Sequence, residues 1–255
     1  MEYFFSKDFD VFNLSKVDYW RCQNCGFTSS RTHAEMTANE WESLNHDYHS
    51  AYQQKTDNPD DPRWTARLRI QAQVLSDAIQ TNILTSSPNW LDYACGDGKL
   101  SALLAEEDIG LQKYDKFMSR REHYLKEDQL VPGGFDLVIN TSVFEHFTRR
   151  EEFDAVNSLV SDQGVLAVHT LVSEDVPDDS SWFYLIPVHC AFHTNKSMSI
   201  LFEQWGYAVS IYHVDSRLWF WFKDASGVEE HVRAANERQN GIEYIFKKGF
   251  VDYWK

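Results

Sequence analysis

The sequence predicts an α/β fold in which a mostly parallel sheet is covered by helices on both faces. Three observations carry that expectation. From residue 89 onward, short apolar runs alternate with stretches of helical period. A turn of small residues, Ala94-Cys95-Gly96-Asp97-Gly98, separates the first run from the first helical stretch. The next run then ends on an acid, Asp115. Strands that alternate with helices are what a parallel sheet with crossover helices requires.

Residues 1–20 mix aromatics and acids with no clean period. Cys22-Gln-Asn-Cys25-Gly26 follows, and from Glu40 to Gln53 the spacing of Trp41, Leu44, Tyr48 and Tyr52 lays one aromatic stripe along a helix. Two prolines among acids and amides mark Thr56–Pro62 as a linker. Trp64–Ile79 reads as an amphipathic helix through Leu68, Ile70, Val74, Leu75 and Ile79. Strand runs are then Trp90–Tyr93, Leu111–Tyr114, Phe135–Ile139 and Val165–Val172, with helical patterns at Lys99–Glu106 and through Phe153, Val156, Leu159 and Val160. Ser197–Trp205 reads as a helix that stops at Gly206. Tyr207–Val214 and Leu218–Phe222 are joined by so few residues that they predict an antiparallel pair. Residues 227–255 read as helical and amphipathic. The division expected is an extension over 1–60 with a cysteine knuckle and a helix, a main domain over 64–223, and a helical extension over 224–255.

Composition narrows the function. With 255 residues the chain can hold one large core, or one core and a small appendage. Its net charge of −15 repels phosphate backbones and disfavours nucleic acid as a partner. The first residues lack the basic-then-apolar order of a secretory signal, and no apolar run is long enough to span a bilayer. Four scattered cysteines do not make a disulfide framework, so a reducing cytoplasm is expected.

The turn after Trp90–Tyr93 has a chemical reading. Gly96 and Gly98 let the backbone reverse sharply and let a ligand approach where a Cβ would block it. Ser101 stands where a dinucleotide fingerprint would have its third glycine. Asp115 ends the next strand about 20 residues on, where a carboxylate can accept both hydroxyls of a ribose. Together these indicate a nucleoside cofactor at the carboxyl ends of the strands.

These residues resemble a family. Leu91-Asp-Tyr-Ala-Cys-Gly-Asp-Gly98 is similar to the first motif of class I S-adenosylmethionine-dependent methyltransferases. Tyr114-Asp115 resembles their ribose-binding motif, and Phe135 to His146 resembles their fourth strand and the turn after it. The resemblance covers roughly residues 64–223 and implies a Rossmann-like, doubly wound, mostly parallel seven-stranded sheet. It also implies roles. Asp92, Ala94 and the backbone from Cys95 to Gly98 would hold the methionine portion, Asp115 the ribose, and Asn140, Thr141, Ser142 and Val143 the floor under the sulfonium. Lys126 to Asp128 are the candidates for the adenine. The Trp41–Tyr52 stripe reads first as packing against the main domain; in similar enzymes an N-terminal helix lids the cofactor, and Tyr48, Tyr52 and Arg67 would then face its carboxylate.

Asn140-Thr-Ser-Val143 differs from the Asn/Asp-Pro-Pro-Tyr/Phe sequence of many amino-methylating relatives, which points to an oxygen or carbon acceptor. Such an acceptor needs a base, and histidine is the leading type. His189 is favoured and His193 second, because both lie in the long loop after the fifth strand and that loop resembles the Pro-x-His segment of sugar and small-molecule methyltransferases. His146 follows Glu145 and has mainly a structural reading; His169 lies in an apolar strand and reads as a satisfied core residue.

Cys22 and Cys25 are half of a zinc site, which wants four ligands. His33, or His46 with His49, would complete a structural zinc; otherwise the pair is a turn with free thiols. The segment resembles part of the zinc-binding module that precedes some sugar methyltransferases. The expected activity is therefore methyl transfer from S-adenosylmethionine to a small polar acceptor, with a sugar, nucleotide-linked sugar or polysaccharide precursor named on resemblance. Methylation of a protein or tRNA group, or a cofactor-binding regulatory role without chemistry, stay open. A zinc-dependent nucleic-acid adaptor is disfavoured by charge.

Overall fold

The computed structural model describes residues 1–53, 64–117, 122–238 and 240–252. The linker expected at 56–62 and the Tyr52 side chain lie outside the described residues. In chain order the elements are β1 (Glu2–Val11), β2 (Leu14–Arg21), β3 (Thr28–Ser30), α1 (Arg31–Ala34), α2 (Ala38–Gln53), α3 (Trp64–Gln80), β4 (Trp90–Tyr93), α4 (Lys99–Ala105) and β5 (Gln112–Tyr114). They continue with β6 (Phe135–Thr141), α5 (Arg150–Leu159), β7 (Val160–His169), β8 (Val172–Ser173), β9 (Ala191–Thr194), α6 (Asn195–Gln204), β10 (Val209–His213), β11 (Leu218–Phe222), α7 (Val228–Glu237) and β12 (Ile245–Lys248). No described helix is long and apolar enough to cross a membrane.

The main sheet runs β12-β10-β11-β7-β6-β4-β5. Its half from β7 to β5 is parallel, and β10, β11 and β12 are antiparallel. The near-continuous apolar runs of β6 and β7 suit strands buried on both faces. Alternate residues feed two cores. Leu137, Ile139, Phe220 and Phe222 pack with Leu75 of α3, Leu104 of α4 and Val232 of α7. Val138, Leu166, Trp219 and Trp221 pack with Phe153 of α5 and Phe202 of α6. Membership of the sheet departs from expectation at one edge. The segment after β5 contributes a single bridge, Lys113 to Tyr124, and the outer strand on the far side is β12. The described residues beyond 224 are therefore a helix followed by a strand, where helix alone was expected over 224–255. Ile245-Phe-Lys-Lys248 is too short and too polar on its exposed end to announce a strand, and such lysines are common on sheet edges.

The N-terminal region forms a second sheet, β1-β2-β3-β9-β8. Residues 1–20 are thus a β-hairpin, turned at Phe12 and Asn13 with φ of 56° and 55°. A third core holds it together: Phe5, Phe9, Val17 and Tyr19 of the hairpin, Leu44 and Tyr48 of α2, and Leu185, Val188 and Phe192. Because β3 pairs with β9, this sheet is stitched to the segment that follows β7.

One buried acid ties the chain's C-terminal part to α3. Asp77 Oδ1 accepts from Asn240 Nδ2 at 2.7 Å and Arg238 Nη1 at 3.2 Å, and Oδ2 accepts from the Tyr244 hydroxyl at 3.0 Å. Asp77→Ala strands these donors and is expected to cost about 2 kcal/mol. In a chain of this size that is a melting temperature lower by about 4–8 °C. A calorimetric melt unchanged within about 1 °C, well below that range, would contradict the assignment.

Candidate active site

β4 ends in backbone that only small residues tolerate. Ala94, Gly96 and Gly98 take φ of 54°, 56° and 76°. A Cβ on Gly98 would come within 3.0 Å of Lys113 Cδ and 3.2 Å of Tyr124 Oη, whereas one on Gly96 would meet nothing within 4 Å. Gly98 thus packs against its own protein, and Gly96 turns an open face outward. Tyr124 donates its hydroxyl to the Gly96 carbonyl at 3.0 Å, bracing the turn from outside.

Asp115 follows β5 and joins the same turn. Its Oδ2 accepts from the Gly96 N–H and its Oδ1 from the Phe117 N–H, each at 2.9 Å. Asp92, on β4, is buried and accepts from the Ser101 hydroxyl at 2.8 Å. Burial pushes its carboxyl up to about 7 against the pull of that hydrogen bond. Ser101, read above as a missing glycine, is the residue that holds Asp92.

Asn140 lies near the end of β6, paired on one side with Tyr93 and on the other with Val168. It is fully buried, yet neither its Oδ1 nor its Nδ2 has a hydrogen-bond partner among the described residues. Leaving such an amide unmatched costs about 1–3 kcal/mol per group, which marks a place that a polar ligand completes. Beyond Thr141, Ser142 adopts a φ of 57°; its N–H donates to the His169 carbonyl at 2.8 Å and its hydroxyl meets His169 Nδ1 at 3.1 Å. Arg67 of α3 donates to the same hydroxyl at 3.4 Å. His169 is buried and bonded, as its place in an apolar strand implies.

A single 3-10 turn, Phe144–His146, then projects two ionisable groups toward the loop before β9. Glu145 is buried and accepts from the Tyr184 hydroxyl at 2.7 Å and the Thr170 hydroxyl at 2.9 Å. Burial raises its carboxyl, and these donors together with the charge of Arg67 draw it back. The His146 ring lies 5.0 Å from that of His189 and 5.4 Å from that of His49. His189 gives Nδ1–H to the Tyr184 carbonyl at 2.9 Å and packs 4.3 Å from the Tyr184 ring. Burial depresses His189 to about 3 and holds His146 well below its ordinary value, so both rings are neutral at physiological pH.

Several expectations need correction. His193 sits on β9 within about 6 Å of the Phe27, Phe144 and Phe153 rings, with Nδ1 near the Ser197 hydroxyl at 3.4 Å. Nearly fully buried in that cage, it packs as a core residue, with its Nε2 unpartnered among the described residues. Tyr48 is packed in the third core against Phe12, because the hairpin covers the Trp41–Leu44–Tyr48 stripe, and its neighbour His49 faces His146. Lys126 and Asp128 are exposed on a short turn, Glu127–Gln129, and Tyr124 is the residue of that stretch that reaches the glycine turn.

Zinc at the cysteine pair is not supported. His33 uses both ring nitrogens, Nδ1 with Ser30 Oγ at 2.6 Å and Nε2 with the Pro187 carbonyl at 2.9 Å. His46 is exposed and His49 faces His146. Among the described residues, the one grouping of three or more metal-ligating side chains is Glu145, His146 and His189, and it excludes Cys22 and Cys25. The cysteine turn instead docks β3 onto α6, with the Thr194 hydroxyl donating to the Cys25 carbonyl.

Tyr124 and Tyr184 were missed by sequence reasoning. Tyr184 had a signal, since it stands in the aromatic loop that holds His189; Tyr124 had none, because its role depends on the chain folding back onto Lys113.

With this geometry in hand, comparison with known proteins is informative. A profile of the methyltransferase domain family matches residues 66–211. No curated protein matches the chain. Among solved structures, a magnesium protoporphyrin IX methyltransferase from Synechocystis with bound SAH is similar at 16% identity and a TM-score of 0.49, over 75% of this chain and 100% of that one. An O-methyltransferase family protein from Burkholderia thailandensis is 18% identical with a TM-score of 0.48, over 72% of this chain and 63% of that one. A SAM-dependent methyltransferase from Archaeoglobus fulgidus is 18% identical with a TM-score of 0.39, over 56% of this chain and 72% of that one. All three scores fall below 0.5.

Proposed function

The chain belongs to the methyltransferase domain family, and on that footing we propose that it transfers a methyl group from S-adenosylmethionine to an oxygen, or a carbon, of a small polar acceptor. The observation that carries this reading is Asn140, a buried amide with no partner among the described residues, paired with Tyr93 at the end of the strand that leads into the Gly96 turn. The residues around it fit the cofactor. Asp115 would take the ribose hydroxyls, Asp92 and the backbone from Ala94 to Gly98 the methionine portion, and Asn140, Thr141 and Ser142 the region under the sulfonium. Arg67, beside Ser142, would meet the carboxylate. When bound, S-adenosylmethionine supplies an electrophilic methyl group on a positively charged sulfur.

The protein's own part is to orient the acceptor and receive its proton. His189 donates through Nδ1, so its Nε2 carries the lone pair. Held neutral, the ring is available across the physiological range as a hydrogen-bond acceptor for a hydroxyl. Glu145 and Tyr184 keep it in place through a shared bond. For the acceptor we propose a sugar, a nucleotide-linked sugar or a polysaccharide precursor, on the likeness of the Pro187-Val-His189 segment to that class. The setting we propose is the cytoplasm, in keeping with four sparse, unpaired cysteines.

Titration calorimetry with S-adenosylmethionine and its demethylated by-product tests the cofactor, and turnover against a panel of nucleotide sugars tests the acceptor. Binding of neither compound, or of nicotinamide dinucleotide in their place, would overturn the reading. A pH series adds a sharper check. Asp92 titrates at about 7, and a cationic ligand favours its ionised form, so affinity for S-adenosylmethionine should fall as pH drops below 7. The limiting slope is about tenfold per pH unit, and Asp92→Asn should flatten it. A wild-type affinity that is constant from pH 6 to pH 8 would contradict the role of Asp92.

A further inference from the structure

Glu145, His146 and His189 each present one ligating atom, and the three atoms lie within 4.8 Å of one another. Their hydrogen bonds leave the right lone pairs exposed. His189 spends Nδ1–H on the Tyr184 carbonyl, which leaves Nε2 unprotonated. His146 is held by the Val188 carbonyl, and its buried Nδ1 has no partner among the described residues. Each Glu145 oxygen takes one hydroxyl donor and retains capacity for another contact. Histidines whose second nitrogen is pinned by a carbonyl, and a carboxylate fixed by hydroxyls, are the outer arrangement that metal sites use. The scaffold is tight as well, since the Cys190 N–H donates to the Glu145 carbonyl at 2.8 Å and zips the loop onto the 3-10 turn.

We propose that Glu145, His146 and His189 form a binding site for one divalent transition-metal ion in the acceptor pocket. Two imidazoles and one carboxylate suit zinc, cobalt, manganese or iron better than magnesium or calcium. Metal–ligand bonds of about 2.1 Å require the donors to close to roughly 3–3.5 Å, a change within side-chain adjustment. Three protein ligands leave a coordination position open, and an oxygen entering it is made more acidic. An ion there takes up His189 Nε2, so the cation replaces that nitrogen as the group that readies the acceptor hydroxyl. The inference rests on the methyl-transfer reading only for the purpose of the site; the binding itself is independent of it.

The test is titration of chelator-treated protein with Co(II), followed by its visible absorption. One Co(II) per chain is expected, with a nitrogen- and oxygen-ligated spectrum. Affinity should fall about 100-fold or more in Glu145→Gln and His189→Gln, and should be unchanged in a Cys22→Ser/Cys25→Ser double variant. Circular dichroism and S-adenosylmethionine binding check that the variants fold. If they do not, wild-type protein still decides the matter, because cobalt should shift the exchangeable ring protons of two histidines in NMR spectra. Absence of saturable binding, a sulfur-to-cobalt charge-transfer band, or loss confined to the cysteine variant would overturn the proposal. Loss of S-adenosylmethionine binding with cobalt binding intact would instead overturn the methyl-transfer reading.

Discussion

Asp115→Ala should weaken S-adenosylmethionine binding by at least about 100-fold, the loss expected when two charge-assisted hydrogen bonds of about 1.5–3 kcal/mol each disappear. The residue has two tasks. In the proposed site it would take the ribose hydroxyls, and it also clasps the glycine turn, since one oxygen holds the Gly96 N–H and the other the Phe117 N–H. Alanine removes the ligand contact and slackens the turn that forms the rest of the pocket. Asp115→Asn keeps one carbonyl acceptor and should fall between the two. Calorimetry on both variants, with melting curves to exclude unfolding, reads the result directly. An Asp115→Ala affinity within about threefold of wild type would mean that the cofactor lies elsewhere, given the bond energies at stake.

The second large effect is expected on the acceptor side. His189→Ala should lower turnover by about 10²–10⁴, the range typical for loss of a positioned proton acceptor. Binding of S-adenosylmethionine should change by less than about twofold, because His189 reaches the pocket from the loop before β9 and contacts the Tyr184 and His146 rings. Measuring kcat and the cofactor affinity separately distinguishes this from general damage. His193→Ala supplies the contrast. It opens a cavity among Phe27, Phe144 and Phe153 and should lower the melting temperature first, with activity following folded protein. Wild-type turnover in His189→Ala would remove the residue from the chemistry, since that role demands a large loss.

The N-terminal hairpin shows why part of the fold was illegible. A half-buried strand announces itself by alternation. In β1 only Phe5 and Phe9 are buried, four residues apart, and the register shifts between Tyr3 and Phe5 and again between Asp8 and Val11. Those irregularities erase the period of two. The helix stripe on α2 was readable, but its partner was not, because the hairpin and the 182–192 region that cover it lie far away in sequence. The packing of Tyr48 was readable from its stripe, whereas overlooking His49 follows from that gap.

Local chemistry wrote the parallel core and the cofactor turn into neighbouring residues. Continuous apolar runs, small residues and an acid at the next strand end are properties of adjacent positions, so the residues proposed for the cofactor, Asp92, Gly96, Gly98, Asp115 and Asn140, could be named from order alone. The acceptor wall is different in kind. Glu145 and His146 come from the turn after β6, His189 from the loop that Tyr184 braces, and His49 from a helix held by the N-terminal hairpin. No spacing rule links positions 49, 145, 146 and 189. They meet because the third core packs α2 and the loop against the tip of the parallel sheet, and side chains brought together by packing are fixed by long-range burial, which leaves no local pattern to read.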